Sequence, residues 1–574
     1  MHVLVFAKQI PNVNKIEFDP ITMRIRRDNV ELTMNSFDRK AVEEGIRIRE
    51  KHGGSVSVAT MGPPSAAEIL KEAILMGADN GYLITDRIYA GADTLVTSRV
   101  LSKFASGLAP DIILAGKYTL DGETSQVPPE VAEMLHFGFK SSISSLEIEG
   151  GSAVVEFENE EGVAGYRIPI PAVFSVSEKI NKARGPGKDA INFDARITVM
   201  GENELQTGSK GSDSPTSVID TVKIESGRQV NFIQLNEESL KLIDGLVNAS
   251  PSSASALKVE PFNGESTKEL WGVALNDREV AFQIASKISM LSAKAHMQVK
   301  MIGNISPGEL EGMPCHEYCY IETGENEPFS DTLSEMIEKE APACVIFPST
   351  VDGREVSGTI AARLGLGLTA DCVELDWEDG KLIQHKPAFG GGIIARIVTK
   401  TAPQMATVRP GVFRKGISAA KFGLRKIEAQ GRCRNSRLSF EKTPEAFRSI
   451  TSSAVVIGVG RGVKTKDRMP EVMELAELLG AAVGATRPIV DSGFVPRQQQ
   501  IGLTGYSISP EVYFALGLSG RDNHVVGIRY AKKVIAVNSN AEAPIFKYAD
   551  IGIVADMFDF IGRYREYLSA GRKG

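Results

Sequence analysis

Polar side chains and glycines gather at the ends of short apolar runs in the last quarter of the chain. The run Ala454-Val-Val-Ile457 breaks into Gly458-Val-Gly460-Arg461-Gly462. A helical stretch comes next, with Val472, Leu475, Ala476 and Leu479 on one face and Gly480 closing it. A strand, a tight glycine turn and a helix expose amides to an anion, and the helix dipole adds about half a positive charge. The third glycine of a G-x-G-x-x-G fingerprint would fall at Val463, and no acidic residue closes the next strand where that motif needs one. The stretch beyond Gly480 is richer: Thr486-Arg487-Pro488, Asp491-Ser-Gly493, Gln500-Ile-Gly502-Leu-Thr504-Gly505, Gly517-Leu-Ser519-Gly520, His524, Ala536-Val-Asn538, Ala543-Pro544 and Val554-Ala-Asp556. Polar groups at strand ends, with glycine wherever a backbone must come close, are the makings of a ligand site.

That order of motifs resembles the FAD-binding domain of the electron transfer flavoprotein alpha subunit, over about 120 consecutive residues. The resemblance implies roles residue by residue. Arg461 falls on the arginine that meets the FAD diphosphate, and Arg487 on the one lying against the isoalloxazine, where a permanent cation stabilises an anionic ring. Thr504 falls on the hydroxyl that bonds flavin N5, and His524 on the imidazole near the pyrimidine carbonyl. Gln500, Asn538 and Asp556 match positions that hold the ring or the ribityl-adenosine part, while Thr486, Gly505 and Ser519 belong to the same motifs. Structural readings stand beside these. Asp556 also suits a helix cap, and His524 a satisfied core histidine. Thr486, Leu503, Asn523 and Asn540 depart from the family's more usual residues, and Leu503 removes a possible polar contact near the flavin.

The elements that must position such a site recur along the chain. Val3 to Ala7, Ser55 to Met61, Tyr82 to Thr85 and Asp111 to Ala115 read as strands, with helices from Asn35 and from Ala66 to Gly77. Asn35 is placed to cap the first helix, and Asp38 and Glu43 to favour its dipole. Alternation at this spacing predicts an α/β fold with a doubly wound parallel sheet, whose ligands lie beyond the strands' carboxyl ends. The polar loops fall there: Lys8-Gln9-Ile-Pro11, and Lys117 to Gln126 with Asp121, Thr124, Ser125 and Gln126.

The pattern repeats. Ala109-Pro-Asp-Ile-Ile and Thr119-Leu-Asp121-Gly122 return as Ala341-Pro-Ala-Cys-Val and Thr350-Val-Asp352-Gly353, displaced by 232 and 231 residues. Two copies of one α/β domain are therefore expected ahead of the C-terminal Rossmann-like domain. Residues 208–215 and 249–255 read as connections. The stretch Arg409 to Arg437 carries nine Lys or Arg and no strong strand, so it reads as a solvated linker, or as a hinge that lets the last domain swing.

The first copy resembles the beta subunit of the same family through Lys8-Gln-Ile-Pro11, Asn35-x-x-Asp38-x-x-Ala41, Gly77-Ala-Asp79 and Asp121 to Gln126. Residues 268–430 resemble the alpha subunit's first domain through Asp352-Gly-Arg354, Leu368-Thr-Ala-Asp371 and Thr407-Val-Arg409-Pro-Gly411. The expectation is a fusion, beta first: a beta-like domain at 1–200, an arm and linker at 201–267, an alpha-type domain at 268–435 and an FAD-binding domain at 436–574. The beta-like half then holds a second adenine nucleotide, AMP in the simple carrier and FAD in the bifurcating type. Thr85-Asp86-Arg87, Gly91-Ala-Asp-Thr94, Thr97-Ser98, Pro387-Ala-Phe389-Gly-Gly391 and Gln404-Met-Ala-Thr407 resemble the bifurcating pattern, which favours two FADs. Implied partners are soluble flavoprotein dehydrogenases and a membrane-associated quinone oxidoreductase or ferredoxin-type acceptor. Lys188 stands where the family's docking leucine would be, a departure that bears on the choice of dehydrogenase.

Composition agrees with this class. A net charge of -7 and a pI near 5.8 argue against a nucleic-acid binder. No run of 18 apolar residues predicts a membrane helix, and the early strand at Val3 leaves no room for a signal peptide. Five cysteines, few and odd in number, suit a reducing cytoplasm. Cys315-His316-Glu-Tyr-Cys319 lacks a second ligand pair and reads as buried or surface cysteines rather than as a metal site. An adenine-nucleotide-binding regulator would explain residues 1–140 but leaves Thr486 to Asp556 without purpose. A flavin oxidoreductase with its own substrate lacks any further acid–base or nucleophile constellation.

Overall fold

The computed structural model describes residues 1–11, 31–187, 192–223, 228–249, 257–388, 393–431, 433–442, 449–451, 453–502 and 505–571. The chain divides into two compact units: residues 1–223, 260–409 and 418–443 form one, and 224–259, 410–417 and 444–574 the other. Residues 1–200 fall within the first unit, and the arm at 201–267 is divided between the two.

The first unit holds both copies of the repeat. Apolar runs such as Val3-Leu-Val5 and Ile112-Ile-Leu114 are fully buried, as strands covered on both faces must be. The helix Ser36–His52 closes one face by burying Ala41, Val42, Ile46 and Ile48. The first copy's sheet runs Ile197–Met200, Asn80–Ile84, Ser55–Met61, His2–Phe6, Ile112–Gly116, Ala172–Val176 and Gly138–Glu149. The second copy's sheet, taken in the same direction, runs Gly423–Ile427, Glu317–Ile321, Gln298–Gly303, Glu269–Ala274, Cys344–Pro348, Gln404–Val408 and Leu368–Cys372. The two orders correspond strand for strand, and the pairings within each are parallel. The repeat seen in the sequence is thus a repeat of topology, a doubly wound sheet used twice.

The copies exchange arms. The strand Thr216–Lys223, which comes after the first copy, pairs antiparallel with Ile393–Thr399 of the second. The strand Ser436–Lys442, which comes after the second, pairs antiparallel with Gly162–Pro169 of the first. The segment from Arg409 to Arg437 is accordingly not a free linker: Gly423–Ile427 is an edge strand of the second sheet. Several of its basic side chains are paired, Arg425 with Glu340 at 3.0 Å and Arg434 with Glu327 at 2.7 Å, and Arg409 is buried against Asp371. An edge strand with one exposed side carries the same charges as a linker, which is why pattern alone did not separate the two.

The second unit is built on a parallel sheet ordered Asn231–Phe232, Ile551–Val554, Lys533–Asn538, Val512–Leu516, Val455–Val459, Ala482–Ala485. Counted from Val455–Val459 this is the 2-1-3-4-5 order, and its switch point lies between Val455–Val459 and Val512–Leu516. The helix Glu237–Ala249 packs Leu240, Ile243 and Val247 into the same core. No helix of the described residues is long and apolar enough to cross a membrane.

Candidate functional site

In the first copy the carboxyl ends of the strands open on a cavity of about 740 Å³. It is lined by Lys8, Asp38, Gly62, Arg87, Thr94, Thr97 and Gly116, by Tyr118, Thr119, Gly122 and Thr124 to Gln126, and by Leu368 to Ala370 and Lys386 of the second copy. Asp38 organises the floor. Its Oδ2 accepts from the Lys8 amide at 2.8 Å and its Oδ1 from the Gly116 amide at 2.9 Å, so one carboxyl joins the ends of two strands. Burial pushes its pKa up to about 7 against those two bonds. Asn35 sits at the N-cap of the first helix, yet its side chain does not cap: Nδ2 donates instead to the Tyr118 carbonyl at 3.0 Å, tying the cavity loop down.

The repeated Thr-x-Asp-Gly segment folds differently in the two copies. In the second, Thr350 caps a helix that runs Val351–Leu364, its hydroxyl accepting from the Gly353 amide at 3.2 Å. In the first, the helix begins only at Val127, where Pro128 and Pro129 occupy the first turn and prevent an earlier start. The residues before it are unwound, with Glu123 at φ 52° and Ser125 at φ 59° in the left-handed region. Amides of Thr124, Ser125, Gln126 and Val127 donate to no protein acceptor among the described residues. Successive amides in alternating right- and left-handed conformation make an anion-binding concavity, here at a helix N-terminus. The second copy's cleft is closed instead. Glu160, half-buried, accepts from the Val351 amide at 3.2 Å, and Asn159 Nδ2 donates to Asp352 at 2.9 Å.

Side chains of the second copy brace the first copy's loop. Arg354 Nη1 donates to Ser125 Oγ at 3.0 Å, and Lys386 Nζ donates to the Gly122 carbonyl at 2.7 Å. Arg409 and Arg354 both bind Asp371, which holds that carboxyl well below the usual carboxylate range. Behind the loop Glu130 is buried between Ser98 Oγ at 2.7 Å and Thr94 Oγ1 at 3.1 Å, and burial pushes it up to about 8.

In the second unit the polar groups of the C-terminal motifs converge on the switch point. The turns Gly460–Gly462 and Gly517–Gly520 leave the two central strands and pack on one another. A Cβ at Gly462 would lie 2.7 Å from Gly517 Cα, so both glycines are required for this approach, and Gly517 also has φ 61°. The amides of Arg461, Ser519 and Gly520 donate to no protein acceptor among the described residues, which leaves a set of donors for a phosphate. One expectation changes: the helix begins at Met469, after two short 3-10 turns, so loop amides rather than its first turn stand at the switch point.

The remaining site residues are spread over the loops of this unit. Thr486 is the N-cap residue of Arg487–Asp491, and Arg487 is exposed with Nε 3.2 Å from Asp491. Gln500 is buried beside Gly505, where a Cβ would meet the Gln500 carbonyl at 2.3 Å. Asn538 donates to the Leu518 carbonyl at 2.9 Å. Asp556 accepts from the Phe558 amide at 2.8 Å, at the start of the helix Met557–Gly571, with Lys464 at 3.9 Å. His524 is buried: Nδ1 lies 3.1 Å from the Ile501 carbonyl and Nε2 2.8 Å from the Tyr513 hydroxyl, so both ring nitrogens are engaged within the domain. Burial holds its pKa down to about 4. Leu503 and Thr504 lie outside the described residues, as do Lys188 and the stretch 389–392.

In the first copy Lys8, Thr124, Ser125 and Gln126 line the cavity. Asp121 pairs with Lys8 at 2.7 Å, while Gln9 is turned to Ser65 and does not line it. The sequence did not single out Asp38 as a clamp, nor Arg354 and Lys386 as neighbours of a loop more than 200 residues away. Only the recognised repeat could have pointed to such an exchange. Cys315, Cys319, Cys344 and Cys372 are buried thiols, and both ring nitrogens of His316 contact backbone groups, the Val299 amide and the Phe262 carbonyl.

Comparison with known proteins agrees with this architecture. Residues 22–195 and 320–432 match the model of the electron transfer flavoprotein domain, and residues 449–529 that of the electron transfer flavoprotein FAD-binding domain. The chain is 38% identical over 255 residues to electron transfer flavoprotein subunit beta of Thermoanaerobacterium thermosaccharolyticum, covering 43% of this chain and 98% of that one. It is 37% identical over 244 residues to subunit alpha of the same organism, covering 41% and 73%. It is also 34% identical over 255 residues to protein FixB of Clostridium saccharobutylicum, covering 42% and 76%. The chain belongs to the electron transfer flavoprotein family, with a beta-like part and an alpha-like part, including an FAD-binding domain, joined in one polypeptide.

Proposed function

We propose that this chain is a cytoplasmic electron carrier with two nucleotide sites, FAD at the switch point of the second unit and a second FAD in the cavity of the first copy. The cavity carries the reading. About 740 Å³ lies toward the upper part of the range of about 300–1,000 Å³ for small-molecule sites, which favours a dinucleotide over AMP. The unwound loop offers its amides to phosphate, and Lys8 and Arg87 also line the cavity. The second copy's equivalent is filled by Asn159 and Glu160, so the first unit holds one nucleotide and not two.

At the switch point, amides of Arg461, Ser519 and Gly520 take the diphosphate. Arg487, Thr486, Gln500, Gly505, His524, Asn538 and Asp556 surround the remainder, and the resemblance assigns Thr504, outside the described residues, to the same ligand. Bound FAD supplies one- and two-electron chemistry. The protein binds it, orients it, and places the Arg487 cation where the reduced ring gathers negative charge. For His524 to reach a flavin carbonyl, one of its two ring contacts, to Ile501 or to Tyr513, must open. Donors are soluble flavoprotein dehydrogenases, and the acceptor is a quinone oxidoreductase or ferredoxin-type protein. Two flavins in one chain permit electron bifurcation, whereas FAD with AMP would give a simple carrier. The test is anaerobic: a reduced dehydrogenase is mixed with the protein and then with a quinone or ferredoxin acceptor. Electrons should reach the acceptor only when the flavoprotein is present. Direct turnover of small substrates without a partner would refute the carrier reading.

A further inference from the structure

We propose that the second copy contributes a ligand-binding cation to the first copy's nucleotide site: Lys386 contacts a phosphate group held by the loop Thr119 to Gln126. The inference rests on the cavity being a nucleotide site.

Lys386 is carried on the strand Lys381–Ala388 and lines the cavity beside Thr124 and Ser125. It is 8% exposed. One of its three N–H groups is given to the Gly122 carbonyl at 2.7 Å. It forms no ion pair among the described residues. The carboxylate that acts on it most strongly, Asp371, is shared by Arg409 and Arg354. Glu123 acts on it more weakly than Asp371, and burial pushes that carboxyl up from its ordinary value. Burial also draws the Lys386 amine down from its ordinary value, as expected of an ammonium lacking an anion of its own. A buried charge needs a partner to remain charged, and the groups beside this one are the four untaken amides of Thr124 to Val127. Amides and an ammonium converging on one loop describe a phosphate receptor.

The reciprocal contact argues the same way. Each copy sends a hairpin into the other's cleft. The first sends Asn159 and Glu160, and the carboxylate takes the helix amide that a phosphate would take. The second sends Lys386, a cation, into the cleft that stays open. An acid fills the closed cleft and a base faces the open one, so the open cleft is built for an anion from outside the chain.

The experiment compares AMP with adenosine by isothermal titration, using the full chain after its cavity nucleotide has been dialysed away. Yellow flavin retained by the C-terminal domain reports folding. Lys386→Met should weaken AMP at least tenfold while changing adenosine less than twofold. Equal weakening of both, or of neither, would overturn the proposal, because a merely structural lysine does not distinguish them. If Lys386→Met fails to fold, Lys386→Gln, which keeps a donor for Gly122 without the charge, reads the same ratio. Wild-type protein binding neither compound would overturn the cavity reading itself, and this proposal with it.

Discussion

Glu130 offers a sharp test of the packing beneath the cavity. Its carboxyl is fully buried, with Ser98 Oγ at one oxygen and Thr94 Oγ1 at the other. Thr94 has a single proton and lies 2.8 Å from Gln126 Oε1 as well, so it can donate to only one of the two. A proton on Glu130 supplies the missing bond. Burial pushes the carboxyl up to about 8, from an ordinary 4.5. Between those values the folded chain holds a proton that the unfolded chain has released, so stability falls as pH rises through that window. At about 1.4 kcal/mol per pH unit the loss amounts to about 5 kcal/mol. Glu130→Gln keeps a donor for Thr94 and an acceptor for Ser98 without any ionisation. The variant should equal or trail the wild type near pH 4.5, then gain on it steadily and be the more stable by pH 8.5. Urea unfolding of both proteins across pH 4.5–9 isolates Glu130, because other titrations cancel in the difference. Parallel curves would mean that Glu130 is ionised in the fold and holds no buried proton.

Two other perturbations bear on the second unit. His524 is held neutral with a pKa near 4, below its ordinary 6.5, so its contribution is present above pH 6.5 and lost as pH falls toward 4. Thermal melts followed by flavin absorbance should show a slope worth about 3 kcal/mol across that window, absent in His524→Asn; an unaltered slope would contradict the buried neutral ring. Arg487→Ala should lower the midpoint potential of the bound flavin, since a cation favours the reduced anion. Losing about 1.4 kcal/mol corresponds to roughly 30 mV for a two-electron couple, and an unchanged potential in a spectroelectrochemical titration would remove Arg487 from the flavin's surroundings.

Much of this fold was readable from local pattern. Runs such as Val3 to Phe6 became central strands, Gly77 and Gly480 became helix stops, and the Thr-x-Asp-Gly repeat marked two sheets of the same strand order. What escaped was non-local. Thr216–Lys223 and Ser436–Lys442 each pair with the opposite copy, and nothing within either segment names its partner. Gly423–Ile427 looked like linker because it is mostly exposed and carries Arg425 and Lys426, as suits an edge. Of the cavity, the polar loop could be read but not its bracing: Asp38 passed for a helix-dipole acid, and Lys386 for an ordinary strand residue. Both act through backbone atoms far away in sequence, Gly116 and Gly122. In the second unit the glycine turn was legible, but the two 3-10 turns that delay the helix to Met469 were not.

The carrier with two flavin sites is tested most simply by counting the adenine nucleotides released when the purified chain is denatured, identified by chromatography and mass. Two per chain are expected, both FAD, with one lost selectively when Lys386 is replaced. A single FAD with no second nucleotide would contradict the two-site carrier, and one FAD with one AMP would leave the cavity reading standing but make the protein a simple carrier.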